Sequence, residues 1–555
     1  VSDRYLAPSS PVEEILAGIY AEVLGVDRVG VDDSFFDVGG DSRSAMRVIA
    51  AINDCFDADL PVRVLFDAPS VQGLSQLLHA RGGAAESALG LSVANGSAGA
   101  DDNGAGERRP GAGFVAVHGR DATEVHARDL TLDKFIDPTT LVTARTLSGP
   151  SALAKNVLLT GATGFLGRYL ALEWLPRLKP NDGKLICLVR AKSNEEARAR
   201  LDKSFDNGDP KLLRHYQTLA ADHLEVIAGD VAEHDLGLDP STWRRLADTV
   251  DLIVDCAALV NHVLPYSQLF GPNTFGTAEL IRLGLTTKRK SYIYVSTAGV
   301  ADQITPSAFT EDADIRVISP TRFVSDNYGN GYANSKWAGE VLLREGNDVG
   351  GLPVAVFRCG MILADTTYAG QLNVSDLFTR LMLSLVATGI APNSFYAPDM
   401  VGRRQRAHYD GLPVEFVAEA IVTLGVQVSE GFRTYHVMNS HDDGIGLDDY
   451  VDWLIDAGHP IQRIGDYEDW LPRFTDSLRS LPDRQRRHSV LPLLPLLPNR
   501  RPNTAPIGAA TAPTDRFRAA VQEAKVGPDN DIPHIAPPII EKYISDLQLL
   551  GLVEG

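Results

Sequence analysis

The 555-residue sequence predicts a small helical bundle followed by a doubly wound α/β domain that carries a smaller, mostly helical C-terminal domain. Three observations predict this. Near the N-terminus, Val12, Ile15, Leu16, Ile19, Val23 and Leu24 recur at helical spacing, as do Ala45, Met46, Ile49 and Ile52. Residues 81–113 are rich in Gly, Ala, Ser, Asp and Asn and nearly devoid of large apolar side chains. From Asn156 onward, short β-branched runs alternate with helical patterns, the signature of a parallel sheet wrapped by helices.

Residues 1–80 read as the bundle, short but viable. Its second helix begins at Ser42, and a third runs from Ser70 to Leu78 behind the start signal Pro69-Ser70. Residues 81–113 form a flexible link, and a random coil of that length spans about 30 Å, so the bundle can swing. Residues 114–150 lead into the α/β domain of residues 151–365. Its strands are expected at Asn156–Thr160, Lys184–Val189, Leu224–Ala228, Leu252–Cys256, Tyr292–Ser296 and Val354–Phe357, with a late one at Tyr435–Met438. After Thr366 the strand rhythm fades. Residues 366–555 are expected mainly to cover the open end of the sheet, where ligands bind in such folds, with 408–440 returning to the sheet.

Composition narrows the classes. Hydrophobic residues are 44% and charged residues 22%, as in ordinary globular proteins. A net charge of -20 disfavours nucleic acid, which needs a basic face. Cys55, Cys187, Cys256 and Cys359 are far apart, without CxxC or metal spacing, so core thiols in a reducing compartment and no metal site are expected. The apolar run Val490 to Pro498 is broken by proline every third residue and cannot span a bilayer. No signal peptide is visible, a cytoplasmic location is expected, and the start at Val1 rather than Met suggests a segment of something longer.

Three motifs carry chemistry. In Asp37-Val38-Gly39-Gly40-Asp41-Ser42, two glycines allow a sharp turn and Ser42 opens a helix, exposing its hydroxyl. An N-cap role for Asp41 or Ser42 is compatible with that. In Gly161-Ala162-Thr163-Gly164-Phe165-Leu166-Gly167, the glycines follow an apolar strand and precede a helix near Arg168. They allow a pyrophosphate to approach the backbone at a helix N-terminus. Gly161, Thr163, Gly164, Phe165, Leu166 and Gly167 are therefore candidate dinucleotide contacts, with Asp230, Val231, Ala257 and Ala258 at the ends of later strands. The second strand ends in Arg190, with Lys192 nearby, where NAD-binding folds tend to carry an acid. A guanidinium there suits a 2′-phosphate and favours NADPH; the alternative is a solvated surface cation. Tyr332 and Lys336 lie four apart on a helix and share a face, with Thr297 at a strand end before them. The ammonium is expected to lower the phenol pKa and to orient the cofactor ribose, while the Thr297 hydroxyl reaches the same substrate oxygen.

Phe35 to Ser42 resembles the 4′-phosphopantetheine site of peptidyl carrier domains, and Leu65 to Val71 the segment before their last helix. Arg43 departs from that pattern, where an apolar residue is usual. Thr297, Tyr332 and Lys336 match the catalytic set of extended short-chain dehydrogenases, with Thr297 favoured over Ser296, and Arg358 to Ile362 resembles their nicotinamide-flanking segment, which adds Met361 as a cofactor contact. Residues 131–137, 260–266 and 405–411 are similar to thioester reductase (R) domains, which end nonribosomal peptide synthetases and carboxylic acid reductases. His262 is either a site residue or a loop hydrogen-bonder, and Cys359 needs no nucleophilic role.

The resemblance implies a carrier–reductase pair, more like a peptide synthetase than a carboxylic acid reductase. It implies NADPH-dependent release of an acyl or peptidyl thioester, held on phosphopantetheinylated Ser42, as an aldehyde; the motifs leave open whether a second hydride carries it on to the alcohol. Its implied partners are upstream adenylation and condensation modules and a phosphopantetheinyl transferase. The alternatives are a carboxylic acid reductase fragment, a redox-inactive cyclase and an NADPH-sensing docking domain.

Overall fold

The computed structural model describes residues 6–24, 26, 28–35, 38, 42–56, 60, 64–78, 113–120, 122–262, 264–325, 327, 329–496 and 512–554. Gly39, Gly40 and Asp41, nearly all of the 81–113 link, and Leu497 and Pro498 of the 490–498 run lie outside these residues.

The bundle contains α1 (Pro11–Leu24), α2 (Ser42–Phe56) and α3 (residues 71–78), with a single helical turn, Val64–Asp67, between the last two. Ser10 Oγ accepts from Glu13 N at 3.3 Å, while Glu13 Oε2 accepts from Ser9 N and Oγ, so α1 starts with reciprocal capping. Ser70 Oγ accepts from Gly73 N at 3.1 Å and caps the start of α3. The helical stripes meet: Leu16, Tyr20, Phe35, Val48, Ile52, Leu65, Val71 and Leu74 are fully buried. Each such side chain contributes about 1.5–3 kcal/mol, which sustains a bundle of this size.

β1 (Glu124–His126) belongs to the lead-in segment. The main sheet then begins with β2 (Asn156–Thr160), followed by α4 (Phe165–Leu178), β3 (Lys184–Val189), β4 (Leu224–Ala228), β5 (Leu252–Asp255) and β6 (Ser291–Thr297). After β7 (Thr321–Phe323) comes the long helix α5 (Asn330–Gly350), then β8 (Val354–Cys359) and the short β9 (Ile362–Leu363). The pairs β10 (Ile390–Ala391) with β13 (Gln462–Arg463), and β11 (Leu412–Pro413) with β9, are parallel. β12 (Phe432–Val437) completes a seven-stranded parallel sheet ordered β12-β8-β6-β5-β2-β3-β4. Strand order reverses beside β2, and the crevice at the C-terminal ends of β2 and β5 is where such folds bind ligands.

The strands differ from expectation in instructive places. β8 runs through Arg358 and Cys359, which pair with His436 and Val437. β12 starts at Phe432 rather than Tyr435, because Phe432, Arg433 and Thr434 complete the ladder with β8, although the polar Arg433 and Thr434 break the apolar run. α4 starts at Phe165, three residues before Arg168, with the extended Gly164 as its N-cap. The lead-in segment contributes β1 to an antiparallel pair with β7.

Beyond β9 the chain builds a second core from the helices Leu377–Thr388, α6 (Leu447–Asp456), Tyr467–Ser480 and Pro538–Leu549. The helix Asp515–Ala524 instead returns to the sheet, where Phe517 and Val521 join the main core.

Candidate functional site

The nucleotide loop is shaped by close approach. Gly161 has φ +72°, and a Cβ there would lie 2.8 Å from Cys256 O. A Cβ on Gly167 would lie 1.9 Å from Gly161 O. Only glycine fits either position. Gly164 caps α4 without a side-chain partner, so the first-turn N–H groups of Phe165, Leu166 and Gly167 face the crevice with the positive end of the helix dipole. Next door, Thr160 Oγ1 accepts from Ala257 N at 3.0 Å and holds Ala257-Ala258 at the end of β5. Asp230 turns its loop by accepting from Ala232 N at 2.9 Å, and Val231 packs on Gly276. These residues fit a dinucleotide.

Arg190 sits exposed at the end of β3. Arg200, which the sequence reading missed, donates from Nη1 to Arg190 O at 2.9 Å, so two guanidinium-bearing residues share this corner. Only the turn between β3 and the helix Asn194–Phe205 brings them together.

Ser296 and Thr297 point to opposite faces, as successive strand residues must. Ser296 is buried and donates to Glu340 Oε1 at 2.6 Å. Glu340 in turn holds Arg358 through a 2.7 Å ion pair in which both side chains are 1% exposed. Removing one partner of such a pair costs about 3–5 kcal/mol, so Ser296 belongs to a structural cluster. Thr297 is half-buried at the crevice, and its Oγ1 accepts only from Gly299 N, at 3.1 Å, among the described residues.

Tyr332 and Lys336 occupy the first two turns of α5. The helix is held tightly there: a Cβ on Gly331 would lie 2.2 Å from Leu264 O. Asn273, in the π-turn Phe270–Phe275, accepts from Leu259 N at 2.8 Å and donates to Ser335 Oγ at 2.9 Å. Ser335 Oγ donates to Tyr332 O at 2.8 Å. Asn273 carries no motif around it, and only the fold shows its clamping role. Lys336 Nζ lies over the Tyr294 ring, 4.6 Å from its centroid. Burial pulls the Lys336 pKa down, opposed first by Asp255.

The Tyr332 phenol departs from expectation. Burial pushes its pKa up rather than down, and the Cys256 and Cys359 thiols add to the rise. The ring meets His262 edge-on, at 5.2 Å between centroids, and packs against the apolar cluster that joins Leu264 and Leu269 to the bundle core. The His262 carbonyl accepts from Gly329 N at 2.7 Å, which holds the loop against the start of α5. Cys359 is buried and its pKa is raised, chiefly by burial, as befits a core thiol. Met361 follows β8, and its carbonyl accepts from Leu412 N at 3.0 Å.

The bundle is seated on this site. Its core is continuous with Leu259, Leu264, Leu269 and Tyr332. Asn261 Nδ2 donates to Cys55 O, near the end of α2, at 3.4 Å. α1 also lies against the turn Leu491–Leu496.

Comparison with known proteins agrees with this geometry. Residues 159–421 match the NAD-binding family described as Male sterility protein, and residues 14–78 match the Phosphopantetheine attachment site family. The chain is 63% identical over 560 residues to the isonitrile lipopeptide synthase of Mycobacterium tuberculosis, covering 100% of this chain and 21% of that protein. It is 61% identical to the carboxylic acid reductase of Mycobacterium marinum, covering 99% of this chain and 45% of that one. The chain thus spans less than half the length of these curated relatives. The crystal structure of a reductase (R) domain of a nonribosomal peptide synthetase from Mycobacterium tuberculosis is 66% identical, with a TM-score of 0.73, and is matched over 78% of this chain and 100% of its own. With its nucleotide crevice, its Tyr332–Lys336 helix and a phosphopantetheine-type domain seated beside them, the chain belongs to the family of nonribosomal peptide synthetase reductase (R) domains, joined to a carrier domain.

Proposed function

We propose that this chain releases a carrier-bound acyl or peptidyl thioester by NADPH-dependent reduction to an aldehyde, a second round giving the alcohol. The observation that carries this reading is the position of Tyr332, between the nucleotide crevice and the core of the carrier. On this reading residues 1–80 are the carrier, 81–113 its tether, 114–365 the cofactor-binding body with its lead-in, and 366–555 mainly the substrate domain. A phosphopantetheinyl transferase modifies Ser42, and upstream adenylation and condensation modules load it, in the cytoplasm. No described helix is long and apolar enough to cross a membrane.

When bound, NADPH supplies a hydride to the thioester carbonyl carbon. Thr297 and Tyr332 donate hydrogen bonds to the oxygen on which negative charge develops. Tyr332, kept protonated by its buried surroundings, supplies the proton, and Lys336 behind it steadies the charge left on the phenolate. The carrier thiol leaves with its proton, giving the aldehyde. The test is single-turnover NADPH oxidation with an acyl group loaded on the carrier, with the product mass read in parallel. Absence of NADPH oxidation would refute the reading.

Arg190→Ala should erode the preference for NADPH over NADH by raising cofactor KM about tenfold, with kcat changed less, because a phosphate contact is uniform binding. Equal use of both cofactors by the wild type would show Arg190 to be a surface cation only.

Leu264→Asp places a charge where the carrier core meets the reductase. It should slow reduction of the tethered thioester about tenfold or more while a free small-molecule thioester is still reduced. Equal loss on both substrates would mean that the substitution damages the site rather than the docking.

A further inference from the structure

Buried polar groups need partners, and a cluster lacking them marks a place built for something else. Two loops at the C-terminal rim of the sheet hold such a cluster. The loop 405–411 is laid against the loop 439–446 through Tyr409 N donating to Ile445 O at 2.8 Å and the Arg406–Asp442 ion pair at 2.8 Å. Between them the Asp410 side chain is 1% exposed, yet neither of its oxygens has a hydrogen-bond partner among the described residues. His408 Nε2 lies 3.2 Å from Asp410 Oδ1, out of line for a hydrogen bond, and His408 Nδ1 is also unpartnered. The Tyr450 hydroxyl of α6 is unpartnered as well, and burial together with the Asp410 charge that it feels raises its pKa. Other buried unpartnered groups, such as Trp174 Nε1 and Trp243 Nε1, lie on separate helices.

The loop that carries the cluster is joined to the segment after β8. Gly411, next to Asp410, abuts Met361, where a Cβ would lie 2.4 Å from the carbonyl oxygen. Met361 follows the strand whose Cys359 influences Tyr332. Burial, with the nearby negative charge of Asp443, pushes the Asp410 carboxyl up to about 7, opposed by its own backbone N–H. A carboxyl in that condition gains most from a donor brought by a ligand.

We propose that Asp410, flanked by His408 and Tyr450, is a specificity-determining residue of the substrate pocket, accepting a hydrogen bond from an amine, amide N–H or hydroxyl on the acyl chain within a few carbons of the thioester. The proposal rests on the reductase reading above and names the class of substrate it serves.

The test loads the full chain with β-amino-, β-hydroxy- or unsubstituted octanoyl groups and follows NADPH oxidation under single-turnover conditions. The wild type should favour one of the donor-bearing chains, because a site built to hydrogen-bond a group rejects the analogue lacking it. Asp410→Asn should reduce that preference by about 10–100-fold, and Tyr450→Phe, which keeps the ring, by a smaller factor. No wild-type preference, or an equal loss on all three chains in Asp410→Asn, overturns the proposal. If Asp410→Asn does not fold, the wild-type series and Tyr450→Phe decide. Failure of the wild type to oxidise NADPH with any chain strikes the reductase reading instead.

Discussion

Tyr332→Phe is expected to lower single-turnover reduction of the tethered thioester by about 10²–10⁴-fold, the usual worth of a general acid, with NADPH binding retained. The ring stays in place because its surroundings hold the carbon framework: His262 packs edge-on, and the ring rests against the apolar cluster of Leu264, Leu269 and the bundle core. What is lost is the proton and one hydrogen bond to the developing oxyanion. The sign of the Tyr332 shift gives a second readout. Its pKa is raised above the ordinary phenol value, so the acid is fully present at neutral pH and is lost only as pH rises through that raised value. Any fall in the single-turnover rate between about pH 7 and about pH 9 should therefore come from Lys336, whose pKa burial pulls down, and not from Tyr332. Thr297→Ala should be milder, removing one oxyanion donor, whereas Lys336→Ala should lose both turnover and cofactor affinity. A wild-type rate in Tyr332→Phe would refute the mechanism and reduce the spacing of Tyr332 and Lys336 to an ordinary helical coincidence.

Ser42→Ala is expected to abolish phosphopantetheinylation and, with it, all reduction of carrier-loaded substrate, while a free small-molecule thioester is still reduced. The motivation is local. Ser42 opens α2, and the far end of the same helix meets the reductase where Asn261 donates to Cys55 O. Intact mass after incubation with a phosphopantetheinyl transferase reads the modification directly. A mass increase persisting in Ser42→Ala would move the attachment to another residue.

Much of the fold was legible because its signals are local. Helical stripes marked the bundle, and β-branched runs at β2, β3 and β4 matched the observed strands residue for residue. β12 was misplaced because an edge strand is defined by the ladder it completes, and Arg433 and Thr434 join that ladder for its hydrogen bonds rather than for their own apolarity. Arg200 and Asn273 escaped notice because each acts through a neighbour remote in sequence or through a carbonyl, which leaves no pattern in residue type.

The sequence by itself determined the chemistry on offer. Glycines at 161, 164 and 167, the hydroxyl at 297, the phenol and ammonium four residues apart and the serine at a helix start are each recognisable by type and spacing. The tertiary structure decided which way each one acts. It turned Ser296 inward to Glu340 and left Thr297 at the crevice, because neighbouring strand residues face opposite sides and only one side meets the buried Glu340–Arg358 pair. It raised the Tyr332 pKa, because desolvation depends on what packs around a ring and not on the lysine one turn away. It also set the carrier core against Leu264 and Tyr332, a contact across about two hundred residues of chain that only packed side chains, not sequence proximity, could establish.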